Sequence, residues 1–213
     1  IAFSDDKKNV ASNALMFKGL KYAQGLNILL ADFPMDLQWM KEGQMHEGVK
    51  STSLGMKGIP VEAETIQLAR DIMMLEYTGG RLHVGPISCK ESIKMIKAAK
   101  KKGLQITSEV CHHHLALTDE KLEEFDSRYK MLPPLRSEEH RKELVKAIKN
   151  GTIDIVSSDH MPQDYDEKVL EFGLSSFGVP GLETTFSVTF EALGDLDLTL
   201  DTLIRGPRKV LHF

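Results

Sequence analysis

Carboxylate and imidazole side chains recur in this sequence at or near the ends of short apolar runs. They are Asp5 and Asp6 after the first run, His83 within the third, His112–His114 after the fourth, and Asp159 and His160 after the fifth. Such side chains can bind a metal ion or transfer protons in a hydrolytic reaction. In (β/α)₈ enzymes the reacting groups lie at the carboxyl ends of the barrel strands. The spacing therefore favours a barrel with its chemistry at one end.

The elements that would position these residues alternate between strand and helix. The candidate strands are Ile1–Ser4, Asn27–Ala31, Arg81–Gly85, Gln105–Val110 and Asp154–Ser158, and the candidate helices are Asn9–Gln24, Val61–Tyr77, Ser92–Lys102 and Ser137–Lys149. Strands with so little charge are typical of a parallel sheet covered on both faces. No glycine-rich nucleotide loop occurs, which favours a barrel over an open doubly wound sheet. Only five strands are visible, so three of a complete barrel would be missing.

Composition limits the classes of function. The chain has 213 residues, with 27 Lys and Arg against 31 Asp and Glu, and its longest basic run is Lys100–Lys102. We therefore expect one domain and no nucleic-acid surface. No apolar stretch reaches the ~18–20 residues that span a bilayer, so no membrane contact is expected. Cys89 and Cys111 form no CxxC pair, which is typical of a reducing compartment and predicts a cytoplasmic protein.

Six segments carry a resemblance to a known family. They are Phe3–Asp6; Leu54–Pro60 with Ala63 and Glu64; Thr107–Val110 with His113–Leu115; Lys130–Arg136; Ser158–Pro162; and Phe177–Thr184. In this order they resemble the dihydroorotases of the type found in multifunctional complexes, which belong to the amidohydrolase superfamily. No single segment is decisive, but together they extend over most of the chain.

The resemblance implies a (β/α)₈ barrel of which residues 1–213 form a partial domain with the later five strands. The earlier strands, and a small β-domain built from both termini, would lie outside these residues. Active members interconvert carbamoyl-aspartate and dihydroorotate. They use a hydroxide held on one or two zinc ions, and an aspartate carries the proton to the leaving nitrogen. The first barrel strand supplies a His-x-His metal pair, which this sequence does not include.

The resemblance also assigns metal positions, and two of them lack a ligand. Asp6 and Asp159 stand at metal positions, and Asp159 is also the catalytic proton carrier. Phe33 and Pro86 stand where the family has histidine ligands, and neither side chain has a donor atom. Zinc sites of this class need at least three protein ligands, so we expect zinc binding to be weak or absent.

Substrate-binding positions are altered as well. Leu132 replaces an asparagine of the family, Gln163 replaces a histidine, and Gly178 is retained. Apolar side chains at Phe33 and Leu132 would fill the emptied site, which can stabilise the fold because unpartnered buried polar groups are removed.

Each polar residue also has a structural interpretation. Asp159 could cap a turn, and Asp6 could be a loop carboxylate. In extended chain, adjacent side chains point to opposite faces, so His112–His114 would not all reach one ion and hydrogen bonding at the barrel top is favoured. We expect His83 to be a hydrogen-bonded strand histidine and His160 to point away from the pocket.

Two functions follow. The chain could belong to a non-catalytic dihydroorotase homologue, kept as a scaffold or as an assembly partner in a homodimer or with aspartate transcarbamoylase. Alternatively, it could belong to an active cyclic amidohydrolase that acts on a small-molecule substrate. That enzyme would hold one metal through the His-x-His pair and Asp159. The substitutions at Phe33, Pro86, Leu132 and Gln163 favour the first function.

Overall fold

The computed structural model describes residues 2–213, and its main sheet has five parallel strands. The strands in chain order are β1 (Ala2–Ser4), β2 (Leu29–Asp32), β3 (Met45–His46), β4 (Gly58–Ile59), β5 (Arg81–Val84), β6 (Ile106–Cys111) and β7 (Ile155–Ser157). The main sheet has the order β1-β2-β5-β6-β7, and every neighbouring pair is parallel. Helical crossovers join these strands, so the chain forms a section of a (β/α)₈ barrel, as predicted.

Eleven α-helices occur within residues 2–213. They are α1 (Asn13–Gly25), α2 (Leu37–Met40), α3 (Val49–Ser53), α4 (Glu62–Thr78), α5 (Lys90–Lys101), α6 (His113–Ala116), α7 (Glu138–Lys149), α8 (Tyr165–Lys168), α9 (Thr185–Leu193), α10 (Leu196–Leu200) and α11 (Gly206–Leu211). None of them is both long and apolar enough to cross a bilayer.

The predicted elements are present with small shifts at their ends. Each main-sheet strand begins and ends within two residues of its prediction, although Ile1 lies outside the described residues. Helix α1 begins at Asn13 rather than Asn9 because Ser12 caps it, with its Oγ accepting a hydrogen bond from the Leu15 N–H at 3.3 Å. The sequence did not predict the separate β3–β4 pair, whose strands have only two residues each.

The core lies between the sheet and the helices that cover it. Buried apolar side chains come from α1, α4, α5 and α7 on one side and from the strands on the other; among them are Met16, Leu20, Leu68, Leu75, Leu82, Val84, Ile96, Val110 and Leu144. Because all five main-sheet strands are parallel, their carboxyl ends meet at one edge. The loops after β1, β2, β5, β6 and β7 therefore converge there.

Candidate functional site at the strand ends

A lysine ammonium lies on the carboxylate of Asp159. Lys7 Nζ, in the loop after β1, is 2.6 Å from Oδ1 and 2.8 Å from Oδ2 of Asp159, which follows β7. It also donates to the Leu132 carbonyl oxygen at 2.6 Å. The Asp159 side chain is 12% exposed and that of Lys7 is 21% exposed. The Lys7 ammonium thus joins three loops: its own after β1, the one after β7 and the one that contains Leu132.

The wall beside this ion pair is apolar. The Lys7 ammonium lies 5.4 Å from the centroid of the Phe33 ring. Phe33 is buried in a cluster with Met35, Ile59 and Ala63, against which Leu132 and Phe177 pack. The side chains at two positions that are polar in the family, 33 and 132, therefore belong to one apolar cluster. Our expectation that apolar side chains fill this region agrees with that packing.

Position 86, in the loop after β5, also offers no ligand. Pro86 is buried, and its side chain has no donor atom. His83, three residues earlier, is engaged elsewhere: Nδ1 lies 2.8 Å from Thr107 Oγ1 and Nε2 lies 3.4 Å from Glu109 Oε2. His83 is thus the hydrogen-bonded strand histidine that the sequence predicted.

Asp6 is not brought into a ligand cluster with Asp159. Its side chain is exposed, its backbone has a φ of 56°, and its N–H donates to Ser4 Oγ at 2.9 Å. Within residues 2–213, no group of three or more His, Cys, Asp or Glu side chains at metal-binding distance includes either carboxylate.

Gln163 and Gly178 lie together at the edge of a cavity of about 450 Å³. His112, His113, Tyr129, Lys168 and Val179 are among its other lining residues. Gly178 has a φ of +126°, and a Cβ there would lie 2.5 Å from the Met161 carbonyl oxygen and 2.7 Å from Gln163 Nε2. Glycine is therefore required at position 178 by both conformation and space.

The three consecutive histidines do not follow the extended geometry assumed from the sequence. The chain turns at His112, and α6 begins at His113, so neighbouring rings are not directed to opposite faces. The His113 and His114 ring centroids are only 4.6 Å apart. The prediction that these side chains diverge is therefore wrong for that pair, because a helical turn replaces the extended chain.

The predicted hydrogen bonding is confirmed for two of the three histidines. His112 Nε2 lies 3.2 Å from Thr184 Oγ1, and His114 Nε2 lies 3.1 Å from the Pro133 carbonyl oxygen. Both ring nitrogens of His113 are buried without a partner. His160 is exposed, and its Nδ1 accepts from the backbone N–H groups of Gly181 and Leu182 at 3.2 and 3.3 Å.

A second ion pair, Glu64–Arg136, is fully buried and joins two of the family-like segments. The Glu64 carboxylate accepts from the Ser88 N–H at 3.0 and 3.1 Å and from the Ser92 hydroxyl at 2.5 Å. Arg136 donates to Ser88 Oγ at 3.0 Å and to the Ile59 carbonyl oxygen at 2.8 Å, and its Nη2 is 3.8 Å from Glu64. Each charge is thus held by several hydrogen bonds.

Sequence reasoning missed both Lys7 and the Glu64–Arg136 pair as functional or structural partners. The available signal for Lys7 was its position directly after Asp6, at the end of a strand whose loop faces the site. For Glu64 and Arg136 the signal was their presence in two of the six segments.

The zinc that the resemblance implies does not fit the residues present at these positions. Phe33 and Pro86 supply only carbon at the positions where the resemblance implies imidazole nitrogens. Of the two remaining carboxylates, Asp6 is exposed, and Asp159 already has both oxygens bonded to an ammonium. A zinc ion would have to displace Lys7 and would still lack two protein ligands.

Comparisons with known proteins agree with the motif segments. A family model described as dihydro-orotase-like matches residues 1–92. The dihydroorotase of Anaeromyxobacter dehalogenans strain 2CP-1 is 41% identical over 216 residues, covering 99% of this chain and 50% of the relative. That of Thermoanaerobacter sp. strain X514 is 43% identical over 188 residues, covering 88% of this chain and 44% of the relative. The chain spans about half the length of the curated relatives it matches.

Solved structures extend the likeness to the fold. The L-hydantoinase from Arthrobacter aurescens superposes with a TM-score of 0.84 at 19% identity, covering 99% of this chain and 50% of that structure. At this identity the likeness concerns the fold alone. Sequence identity of 41% along nearly the whole chain is too high for a merely shared fold, and the chain belongs to the dihydroorotase-like amidohydrolases.

Proposed function

We propose that this chain forms part of a dihydroorotase homologue of pyrimidine biosynthesis that has lost ordinary metal-dependent hydrolysis. The observation that carries the proposal is the Lys7 ammonium bonded to both oxygens of Asp159. In the family's reaction this carboxylate must bind metal and accept a proton. Here a permanent positive charge already satisfies it.

The surrounding residues support the same conclusion. A zinc-bound water becomes a nucleophile near neutral pH only when enough protein ligands hold the ion. Phe33 and Pro86 cannot provide them, and the Phe33 ring packs within a buried apolar cluster. The substrate positions Leu132 and Gln163 have also changed type, whereas Gly178 keeps its close backbone packing.

We further propose that the protein is kept as a folded scaffold or assembly partner in the cytoplasm. The partner is either a second copy of the chain or aspartate transcarbamoylase. Intact buried packing supports a scaffold role, because the main core and the hydrogen bonds of the Glu64–Arg136 network are formed by residues other than Phe33, Pro86 and Asp159. Cys89 and Cys111 are both buried free thiols, as suits a reducing compartment.

One observation favours a second candidate, an active cyclic amidohydrolase. Asp159 stands at its strand end, and Gln163 and Gly178 line a cavity large enough for a small substrate. This enzyme would hold a metal through Asp159 and ligands outside the 213 residues, and Lys7 would have to move away.

The experiment compares the full-length protein, including the parts outside these 213 residues, with its Asp159→Asn variant. We expect no hydrolysis of dihydroorotate and no cyclisation of carbamoyl-aspartate that depends on Asp159, with or without added Zn²⁺. We also expect equal zinc content in the two proteins. Turnover or bound zinc that is lost in Asp159→Asn would overturn the proposal and establish the amidohydrolase.

The assembly role is tested separately by size-exclusion chromatography with light scattering. The chain is run alone and with aspartate transcarbamoylase. A dimer or a co-migrating complex supports the role, and a monomer that remains separate from aspartate transcarbamoylase excludes both proposed partners.

A further inference from the structure

Cys111, His113 and His114 form a buried cluster where β6 passes into α6. Each residue offers one ligand atom, and these atoms all lie within 4.8 Å of one another. No other such group of three is found in the part of the chain that the structure describes. We propose that this cluster binds a zinc-type divalent ion through Cys111 Sγ and one ring nitrogen of each histidine.

The unpartnered nitrogens of the cluster indicate a missing ligand. His113 is only 4% exposed, yet neither of its ring nitrogens has a hydrogen-bond partner. His114 is 2% exposed, and its Nδ1 is also unpartnered. Buried polar groups in folded proteins nearly always have a partner. A bound cation would satisfy one nitrogen of each imidazole at once.

His114 has one free ring nitrogen and one that is hydrogen-bonded, the combination found in metal-binding histidines. Its Nε2 lies 3.1 Å from the Pro133 carbonyl oxygen, so Nε2 carries the hydrogen and Nδ1 keeps its lone pair. Metal-binding histidines characteristically have such an outer hydrogen bond, which fixes the tautomer and the ring direction.

The donor set is compatible with a zinc-type ion. A thiolate with two imidazoles suits zinc, and tetrahedral zinc places such atoms roughly 3.4–3.6 Å apart, given Zn–S and Zn–N bonds of ~2.3 and ~2.1 Å. The cluster reaches this spacing through shifts of about 1 Å. When the metal binds, the Cys111 S–H bond breaks, the proton passes to solvent and a sulfur–metal bond forms.

The surroundings leave room for access and for a fourth ligand. His113 lines the cavity of about 450 Å³, which is open to solvent and gives an entry path. Three protein ligands leave one tetrahedral position for water or another small molecule. The site uses neither Asp6 nor Asp159, so it is independent of the proposed loss of the family's metal centre.

The test uses Co²⁺ as a spectroscopic substitute for zinc on the full chain, after removal of metals with a chelator. Binding at this cluster should give a saturable 1:1 signal with thiolate-to-Co²⁺ charge transfer and the visible bands of tetrahedral Co²⁺, and Zn²⁺ should abolish it by displacement. Cys111→Ala should lose the charge-transfer band. The matched control is Cys89→Ala, which removes the other buried thiol and should retain it.

Two further variants separate the ligands from their surroundings. His113→Asn should weaken Co²⁺ binding by more than the ~10–100-fold typical of losing an outer-shell partner. Asp159→Asn should leave the spectrum unchanged, which distinguishes this site from the family's centre. Circular dichroism of each variant establishes that it is folded. Absence of the charge-transfer band in the unaltered chain, or its persistence in folded Cys111→Ala, overturns the proposal.

Discussion

Two ion pairs of this molecule, Glu64–Arg136 and Lys7–Asp159, differ in how their charges are held. The side chains of Glu64 and Arg136 are at most 1% exposed and share a network with the Ser88 and Ser92 hydroxyls. Lys7 and Asp159 are partly exposed and bond mainly to each other. A fully buried charge is costly to leave unpaired, whereas a partly exposed carboxylate can change its cation and remain solvated.

This difference accompanies a contrast in the resemblance, because the strand-end region keeps Asp159 but has Phe33 and Pro86 where the resemblance implies histidines. Glu64 and Arg136 both lie in segments that resemble the dihydroorotases, and they connect the loop after β5 to the loop before α7. The site around Asp159 at the strand ends instead has the Lys7 ammonium and the apolar cluster that contains Phe33. The charges of Glu64 and Arg136 are held by several hydrogen bonds, whereas Asp159 is held mainly by Lys7.

The largest expected effect comes from breaking the buried network. Arg136→Met leaves Glu64 without its cation and should lower the free energy of unfolding by about 3–5 kcal/mol. Denaturant titration measures the loss. Arg128→Met is the matched control, since Arg128 pairs with Asp126 on the surface, and it should leave stability unchanged. A loss in Arg136→Met no greater than in this control would remove the distinction between the two pairs.

A smaller loss is expected at the strand-end pair. Lys7→Met removes the donor to Asp159 and to the Leu132 carbonyl, and it should cost about 1.5–3 kcal/mol. The double variant Lys7→Met/Asp159→Asn should recover part of this loss, because no uncompensated carboxylate remains. Unfolding of all four proteins gives the coupling energy. A coupling energy near zero would contradict the importance of the ion pair.

The apolar wall is tested by Phe33→Leu. Phe33 is 1% exposed, and removing part of its ring should cost about 1–2 kcal/mol through lost packing and a small cavity. Thermal unfolding compares it with Phe186→Leu, a substitution on an exposed helix position that should have no clear effect. Equal stability of the two variants would mean that Phe33 does not fill the centre.

Taken per pH unit, the smallest effect extends the comparison to a buried carboxyl group with too few donors. Burial and the neighbouring Asp32 raise the pKa of Asp71 to about 8 from 3.8, so the folded protein keeps a proton that the unfolded chain releases. Stability contributed by this group therefore falls as pH rises from about 4 to about 8, by at most about tenfold in the unfolding constant per pH unit. Asp71→Asn should flatten that slope in denaturant titrations at several pH values. An unchanged slope would mean that Asp71 is ionised in the folded protein.

Much of this fold could be predicted because burial leaves a direct pattern in the sequence. The strands of the main sheet are apolar runs, and Ser137 and Pro60 precede helices close to where they begin. The adjacency of Phe33 and Leu132 also followed, since both were assigned to one pocket by the resemblance. The β3–β4 pair was missed because two-residue strands are too short to show a periodicity.

The contacts of Lys7 and the arrangement of His113 and His114 could not be predicted, for a different reason. Lys7 has a long, flexible side chain, and its direction is set by contacts with Asp159 and Leu132, which are more than 120 residues away along the chain. The relation of His113 to His114 depends on the residue at which the helical turn begins. Residue type and spacing specify neither a contact between residues far apart in the chain nor the residue at which a helical turn begins.

The ammonium beside Asp159 is covalently part of the chain, and this has a practical consequence. A dissociable ion would make the junction of the loops after β1 and β7 depend on supply, and a chelator could open it. The Lys7 charge cannot be removed by metal depletion or by a competing chelator. This junction therefore keeps the same form whatever the metal content of its surroundings.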